Sequence, residues 1–137
     1  MRKFLIATHG TFASGIKASL ELIAGTCDQV LTIDAYINDE LSLEEEMDAI
    51  LDQLAEKDEL IIFTDLAGGS VTNRLLMKSK PSNIHLVGGL NLPLLIEVVL
   101  ADPEIPVPAV LETALTNARE QIINVKQWMV SSEQLWD

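Results

Sequence analysis

The fold is decided near the amino terminus by the segment FLIATHG, residues 4–10, where an apolar run ends in His9 and Gly10. A short apolar run bounded by turn residues is typical of a strand buried on both faces. Residues 11–24 have helical spacing, so His9 lies where a strand ends and a helix begins. In an open α/β sheet, ligands bind at the carboxyl ends of the strands, and the following helix offers unpaired N–H groups to an anion. His9 is therefore a candidate for binding or transferring phosphate.

The length and charge of the chain limit what it can be and what it can bind. At 137 residues with 48% hydrophobic content it has the size of a single domain with a buried core, and we expect residues 1–137 to form one unit. Nine Lys and Arg against 21 Asp and Glu give a net charge of -12, which repels nucleic acid and anionic lipid. A basic protein partner is favoured, although the same acidity also keeps a protein soluble.

Cysteine usage and the apolar segments indicate the compartment. Cys27 is the single cysteine, which excludes an intrachain disulfide and a cysteine metal cluster and fits a reducing environment. The first apolar run stops at Thr8 without a small-residue cleavage site, which argues against a secretory signal. The longest apolar stretch, residues 90–101, is interrupted by polar residues and is too short to span a bilayer. We expect a cytoplasmic protein that does not itself insert into the membrane.

Apolar runs with strand character alternate with longer segments of helical periodicity. This βαβα order predicts an α/β fold: a mostly parallel four-stranded sheet in the flavodoxin-like order 2-1-3-4, with helices on both faces. The predicted strands are residues 4–8, 30–33, 60–64 and 84–87, and the predicted helices are residues 12–24, 42–55, 70–78, 92–100 and 109–120.

Local signals mark where some helices begin and end. Ser42 precedes three consecutive glutamates, Glu44 to Glu46, which predicts an N-cap followed by carboxylates at the positive end of the helix dipole. A metal site there is disfavoured, because consecutive carboxylates fan around a helix. Three prolines in residues 102–108 predict a rigid, non-helical connector. Residues 121–130 are ambiguous between more helix and a short edge strand.

A second candidate side chain stands where the third predicted strand ends. The segment TDLAGGS, residues 64–70, contains Asp65 and leads directly into a helix. If the first and third strands are neighbours, Asp65 and His9 emerge side by side. A carboxylate bonded to one imidazole nitrogen fixes the tautomer, leaves the lone pair of the other nitrogen free to attack, and stabilises the imidazolium that forms. Such a pair is a competent phosphoryl acceptor.

The residues after Asp65 predict a place for the phosphoryl group. Gly68 and Gly69 allow the backbone to approach a ligand closely, and Ser70 with the N–H groups at the helix start can hold phosphoryl oxygens without a metal or cofactor. No Gly-Lys-Ser/Thr follows the glycines, so a nucleotide site is not indicated. Each residue alone has a structural explanation as a turn or cap, but together they map to one edge of one sheet. His85, near the start of its strand, lies at the opposite edge and is predicted to be structural.

Three motifs in register resemble one protein family. They are THG at residues 8–10, DLAGGS at residues 65–70 followed by Asn73, and GLNLPLL at residues 89–95. In this order and spacing they resemble the IIA component of the mannose family of the bacterial phosphoenolpyruvate-dependent sugar phosphotransferase system (PTS). The resemblance covers nearly the whole chain.

The resemblance implies that His9 accepts a phosphoryl group from phospho-HPr and passes it to a IIB component on a separate chain, which phosphorylates a sugar during uptake. It further implies that Asp65 orients His9 and that Ser70 contacts the phosphoryl group. The neighbouring wall of the site would be formed by Thr8, Asn91, Leu92 and Pro93. Contact with the membrane permease components would then pass through IIB.

The family also suggests a homodimer in which a carboxyl-terminal antiparallel strand completes the sheet of the partner. Residues 121–130 are the candidate for that exchanged strand. The chain departs from the usual family motif at two positions: Val71 stands where members usually have proline, and Ala67 stands where they often have a bulky aromatic residue. Loss of the proline removes preorganisation but no hydrogen-bond donor that transfer needs.

Other interpretations remain open at the level of sequence. A receiver domain would be phosphorylated on Asp65, but Thr8 and His9 stand where receivers carry the acidic pair that binds magnesium. A histidine phosphatase begins with Arg-His-Gly, and here Thr8 replaces the arginine. A regulatory module of the same fold would bind partners without turnover. A phosphotransfer subunit that serves a dihydroxyacetone kinase shares the strand-end histidine, although residues 68–70 and 91–93 favour the sugar-transport version.

Overall fold

The structure is a computed structural model that describes residues 1–38 and 40–136, with side chains through Ser131. It contains one parallel sheet of four strands in the order β2-β1-β3-β4, which confirms the predicted fold class and strand order. The elements are β1 (Arg2–His9), α1 (Phe12–Ala24), β2 (Val30–Ala35), α2 (Leu43–Asp52), β3 (Glu59–Thr64), α3 (Ser70–Leu76), a short 3-10 helix (Met77–Ser79), β4 (Ile84–Val87), α4 (Leu92–Val99), α5 (Val107–Glu120) and α6 (Val125–Trp136).

The two central strands, β1 and β3, are buried on both faces. Successive side chains of a strand point to opposite faces, so an apolar run without polar alternation serves two cores at once. On one face Ile6 and Phe63 pack with α1, α4 and α5, and on the other Leu5 and Ile62 pack with α2 and α3. Each of these side chains stabilises the fold by about 1.5–3 kcal/mol on burial. The continuous apolar pattern of residues 4–8 follows from this position.

The helix boundaries follow local chemistry, with one correction. Ser42 caps α2 as predicted, since its hydroxyl accepts a hydrogen bond from the Glu45 N–H at 3.1 Å. The prediction that all of residues 102–108 lie outside a helix was wrong, because α5 begins at Val107 and includes Pro108 in its first turn. Proline is tolerated there, since the first N–H groups of a helix have no intrahelical partner. Among the described residues, no helix is long and apolar enough to cross a membrane.

The carboxyl-terminal segment differs from the predicted exchanged strand. Residues 121–124 form no strand and α6 begins at Val125, with the Trp128 N–H donating to the Asn124 carbonyl at 3.0 Å. A strand needs the edge of another strand to satisfy its backbone groups, whereas a helix satisfies them within the segment. In a single chain residues 125–130 are therefore helical and residues 121–124 are not, and the exchanged strand of a homodimer stays a prediction.

Charged groups at the amino-terminal end of the sheet are paired with one another. The Asp58 carboxylate accepts hydrogen bonds from the Ala55 N–H at 2.9 Å and from the Met1 ammonium at 3.0 Å. These two bonds lower the pKa of Asp58 to about 2. His85 pairs with Glu59 through Nε2 and Oε2 at 3.0 Å. As predicted, His85 lies at the opposite end of the sheet from His9.

Candidate functional site

His9 and Asp65 lie at the same edge of the sheet because β1 and β3 are parallel neighbours. Ala7 pairs with Thr64, so the residues that end β1 and follow β3 emerge together. Gly10 turns the chain immediately after His9: its φ is +58° and its N–H donates to the Ala35 carbonyl at 3.0 Å. Positive φ is favourable for glycine and unfavourable for most other residues. The turn places His9 at the strand end, as the sequence predicted.

One oxygen of Asp65 holds the imidazole of His9. Asp65 Oδ2 lies 2.9 Å from His9 Nδ1 and also accepts the His9 main-chain N–H at 3.0 Å. Burial by itself raises the pKa of Asp65, but the hydrogen bonds from the His9 main chain and imidazole outweigh it, and the pKa lies below its ordinary value. An ionised Asp65 can only accept, so a neutral His9 carries its proton on Nδ1. The lone pair on Nε2 is then available to attack.

Ser70 stands at the reactive nitrogen. Its hydroxyl oxygen lies 3.2 Å from His9 Nε2, and the His9 side chain keeps 39% of its surface exposed while that of Asp65 keeps 10%. Gly69 permits this approach, because a Cβ there would lie 3.3 Å from His9 Cε1 and 3.0 Å from Leu66 Cβ. The structure thus brings together His9, Asp65, Gly69 and Ser70.

The loop between Asp65 and Ser70 is tied down by a buried hydroxyl. Thr72 Oγ1 donates to the Leu66 carbonyl at 2.6 Å and lies 2.6 Å from Thr64 Oγ1. The Leu66 N–H in turn donates to Asp65 Oδ1 at 3.1 Å. These bonds link the end of β3, the loop and α3, so the positions of Asp65 and Ser70 are coupled.

Three residues that the sequence analysis did not assign to the site extend it. The Tyr36 hydroxyl lies 2.9 Å from Ser70 Oγ, and its ring centroid lies 5.6 Å from that of His9 with a tilt of 53°. Arg74 donates from Nη1 to the Tyr36 hydroxyl at 3.1 Å. The same guanidinium forms a bidentate ion pair with Glu44, which we call the fork. In it, Nε donates to Oε1 at 2.7 Å and Nη2 donates to Oε2.

The electrostatics of this extension follow from its hydrogen bonds. The bond to Ser70, and then that from Arg74, lowers the pKa of Tyr36 below its ordinary value, against the opposing effect of burial. The fork lowers the pKa of Glu44 and raises that of Arg74. A signal for Tyr36 was present in the sequence: it directly follows β2, the other neighbour of β1, as Asp65 follows β3.

Two further predicted site residues, Thr8 and Gly68, differ in their surroundings. Thr8 is buried, and its hydroxyl accepts the Ala13 N–H at 2.7 Å in the first turn of α1. Gly68 is exposed in the loop before Ser70, and a Cβ there would meet nothing within 4 Å.

Asn91 caps α4 through both ends of its amide. Its Oδ1 accepts the Leu94 N–H at 2.9 Å, and its Nδ2 donates to the Ala118 carbonyl at 3.0 Å. Leu92 and Pro93 form the first turn of α4 and are half-buried. Within the part of the chain that the structure describes, no hydrogen bond joins these three residues to His9. Their predicted role as a wall of the site remains untested.

The arrangement suits nucleophilic chemistry at a nitrogen. His9 Nε2 has a fixed tautomer, an exposed approach and a neighbouring hydroxyl. Both carboxylate oxygens of Asp65, the residue that a receiver domain would phosphorylate, already accept hydrogen bonds: Oδ2 accepts two from His9, and Oδ1 accepts one from the Leu66 N–H. Across the described ranges, no group of three or more His, Cys, Asp or Glu side chains is placed to hold a metal ion.

Known proteins resemble this chain in sequence and in fold. The family model EIIA-man, described as the PTS system fructose IIA component, matches residues 3–115. A candidate phosphoenolpyruvate-dependent sugar PTS permease from Klebsiella pneumoniae subsp. pneumoniae MGH 78578 is 36% identical with a TM-score of 0.87, and the match covers 93% of each chain.

Two streptococcal structures are also similar. The PTS IIA protein associated with the fucose utilization operon of Streptococcus pneumoniae is 34% identical with a TM-score of 0.77, over 93% of this chain and 96% of that one. The PTS component EIIA from Streptococcus agalactiae is 30% identical with a TM-score of 0.75, over 93% of this chain and 99% of that one.

Proposed function

This chain belongs to the EIIA-man family of PTS components, as its motifs predicted, and we propose that it works there as a phosphohistidine carrier. His9 accepts a phosphoryl group from phospho-HPr and passes it to a IIB component on a separate chain. The observation that carries the proposal is the 2.9 Å contact between His9 Nδ1 and Asp65, which leaves Nε2 exposed toward Ser70.

The proposed transfer is a displacement at phosphorus. The Nε2 lone pair of His9 attacks, a P–N bond forms, and the bond between phosphorus and the donor nitrogen of phospho-HPr breaks. Asp65 stabilises the positive charge that develops on the imidazole through its bond to Nδ1–H. The Ser70 hydroxyl, already near Nε2, donates to a phosphoryl oxygen. Transfer to IIB repeats the displacement with Nε2 as the leaving group.

The pathway that the carrier serves is proposed from the names of the similar proteins. One similar protein is named as part of a phosphoenolpyruvate-dependent sugar phosphotransferase system, and another as associated with a fucose utilization operon. These names support a role in sugar uptake over a role serving a dihydroxyacetone kinase, which no observation favours. We place the carrier in the cytoplasm as a homodimer that meets the membrane permease components through IIB.

Intact-protein mass spectrometry tests the proposal. The wild type is incubated with preformed phospho-HPr that has been freed of enzyme I, phosphoenolpyruvate and magnesium, and is expected to gain one acid-labile phosphate whether or not magnesium is added back. His9→Ala is expected to gain none, whereas His85→Ala, the matched change at the other histidine, is expected to gain one. Added IIB should remove the phosphate from the carrier.

Three outcomes contradict the proposal. The wild type could stay unmodified, His9→Ala could still be phosphorylated, or the phosphate could be a magnesium-dependent acyl phosphate on Asp65. The last outcome would support the receiver interpretation.

A further inference from the structure

A continuous chain of hydrogen bonds leads from the reactive nitrogen of His9 to the surface between α2 and α3. From His9 Nε2 it passes to Ser70 Oγ at 3.2 Å, to the Tyr36 hydroxyl at 2.9 Å and to Arg74 Nη1 at 3.1 Å. Two of its members are hydroxyl groups, which can each donate or accept. The groups at the two ends of the chain determine whether each hydroxyl donates or accepts.

The His9 end of the chain is an acceptor. Because ionised Asp65 accepts a hydrogen bond from Nδ1–H, the neutral imidazole offers a lone pair at Nε2. The neighbouring Ser70 hydroxyl can then satisfy Nε2 only by donating its proton.

The Arg74 end of the chain is a donor, since a guanidinium has no acceptor. The ion pair with Glu44 fixes the plane of the Arg74 guanidinium, and in this orientation Nη1 donates to the Tyr36 oxygen. Tyr36 therefore accepts from Arg74 and directs its own proton to Ser70 Oγ. Every proton in the chain points toward His9.

The backbone of Tyr36 indicates that this placement is enforced. Its φ is +68°, and within the described residues it is the only non-glycine residue with positive φ. Such a conformation is unfavourable for a bulky residue and persists where the surroundings hold it. Glycine or asparagine would suit the turn better, yet neither would place a hydroxyl against Ser70.

We propose that Tyr36 and Arg74 are positioning residues for phosphoryl transfer: they orient the Ser70 hydroxyl so that its proton faces the phosphoryl group carried by His9. The proposal rests on the proposed function. Once Nε2 is bonded to phosphorus it no longer accepts a hydrogen bond, and the nearest new acceptor for the Ser70 proton is a phosphoryl oxygen. Because the Tyr36 proton occupies a lone pair of Ser70, the serine oxygen is kept from turning toward the negative phosphoryl group.

The first test is a double-mutant cycle on the rate of transfer from phospho-HPr. Tyr36→Phe keeps the ring and removes the hydroxyl, and it is expected to slow transfer about fivefold to tenfold, the effect of one oriented hydrogen bond. In a Ser70→Ala background the same change is expected to have no further effect, because Tyr36 acts through Ser70. Lys78→Gln is the control, since it removes a 2.8 Å pair with Asp48 that also bridges to α2 but does not contact Tyr36.

The second test does not depend on transfer. In the unphosphorylated protein, the ¹⁵N resonance of His9 Nε2 reports the hydrogen bond from Ser70, and Ser70→Ala gives the reference for its loss. Tyr36→Phe and Arg74→Gln are expected to move the resonance toward that reference, while Lys78→Gln leaves it in place. The resonances of His85 serve as an internal control.

The inference is overturned if Tyr36→Phe transfers at the wild-type rate, if it slows transfer equally in the Ser70→Ala background, or if it leaves the Nε2 resonance unchanged. Failure of the proposed function has a different signature: the wild type itself takes no phosphate on His9. In that case Tyr36 and Arg74 have no role in transfer, and the ¹⁵N resonance of His9 Nε2 still shows whether Tyr36 orients Ser70.

Discussion

Asp65 Oδ2 accepts two hydrogen bonds from the same residue, one from the His9 imidazole at 2.9 Å and one from the His9 main chain at 3.0 Å. The side chain and the backbone of His9 are thus held by one atom on the neighbouring strand. This double contact fixes both the orientation of the ring and its tautomer, and the proposed chemistry depends on both.

Replacement of Asp65 by Asn should nearly abolish phosphorylation of His9. The amide can donate to Nδ1, which would move the imidazole proton to Nε2 and remove the nucleophilic lone pair. The rate of transfer from phospho-HPr, followed by mass spectrometry, is expected to fall on the order of 10²- to 10⁴-fold. Glu59→Gln is the matched control, because it changes the carboxylate that pairs with the other histidine at 3.0 Å. A loss of less than tenfold in Asp65→Asn would count against the proposed role.

Replacement of Gly69 by Ala should displace the imidazole. The new Cβ would lie 3.3 Å from His9 Cε1 and 3.0 Å from Leu66 Cβ, so the ring or the loop must shift. Because a small misplacement of a reacting atom is costly, we expect transfer to slow about tenfold or more. The same rate assay measures it.

Gly15→Ala is the control for this change. Gly15 lies in α1, and a Cβ there would meet nothing within 4 Å. The variant should transfer normally and gain about 0.5–1 kcal/mol in free energy of unfolding from its higher helix propensity. Equal transfer rates for Gly69→Ala and Gly15→Ala would show that the missing Cβ at residue 69 is not needed to place the imidazole.

Replacement of Thr72 by Val should destabilise the fold. Valine keeps the shape of the side chain but removes the hydroxyl that donates to the Leu66 carbonyl at 2.6 Å and contacts Thr64 Oγ1 at 2.6 Å. A buried group left without its partner costs about 1–3 kcal/mol, which urea unfolding would measure. Thr116→Val, which removes an exposed bond to the Glu112 carbonyl at 3.0 Å within α5, is the control and should change stability little. An unchanged free energy of unfolding in Thr72→Val would show that the Thr72 hydroxyl does not hold the loop in place.

Stability should fall in acid partly because of Asp58. Its pKa is about 2 in the folded protein against an ordinary 3.8, so its carboxylate stabilises the fold above pH 3.8 and loses that contribution as the pH falls toward about 2. Thermal melts of the wild type and Asp58→Asn should therefore differ above pH 3.8 and converge below it. A difference in Tm that stays constant down to pH 2 would contradict this assignment.

The pair of His9 and Asp65 could be predicted because it depends on strand order alone. Apolar runs identified β1 and β3, parallel neighbours end at the same edge, and the residue that ends or follows each strand is then placed without side-chain detail. Ser70 followed for the same reason, since it begins the helix directly after that edge.

Strand order gives the sheet edge at which Tyr36 lies but not the direction of its side chain, and it does not place Arg74. The position of the Tyr36 side chain depends on a positive φ that its residue type disfavours. The orientation of the Arg74 side chain depends on its ion pair with Glu44, which lies on another helix. The helical start at Val107 was missed because prolines were treated as helix breakers even in a first turn, where they are tolerated. Residues 121–130 stayed ambiguous because the proposed partner of that segment lies in another copy of the chain.

In the proposed carrier, the fork between Glu44 and Arg74 would affect how long a phosphoryl group stays on His9. The positive charge of Arg74 is balanced by the Glu44 carboxylate, and its guanidinium also donates to the Tyr36 hydroxyl. A guanidinium in direct contact with the phosphoryl oxygens would bind them tightly and delay their departure. Here that cation is kept one tyrosine and one serine away, which favours brief residence and rapid onward delivery over retention.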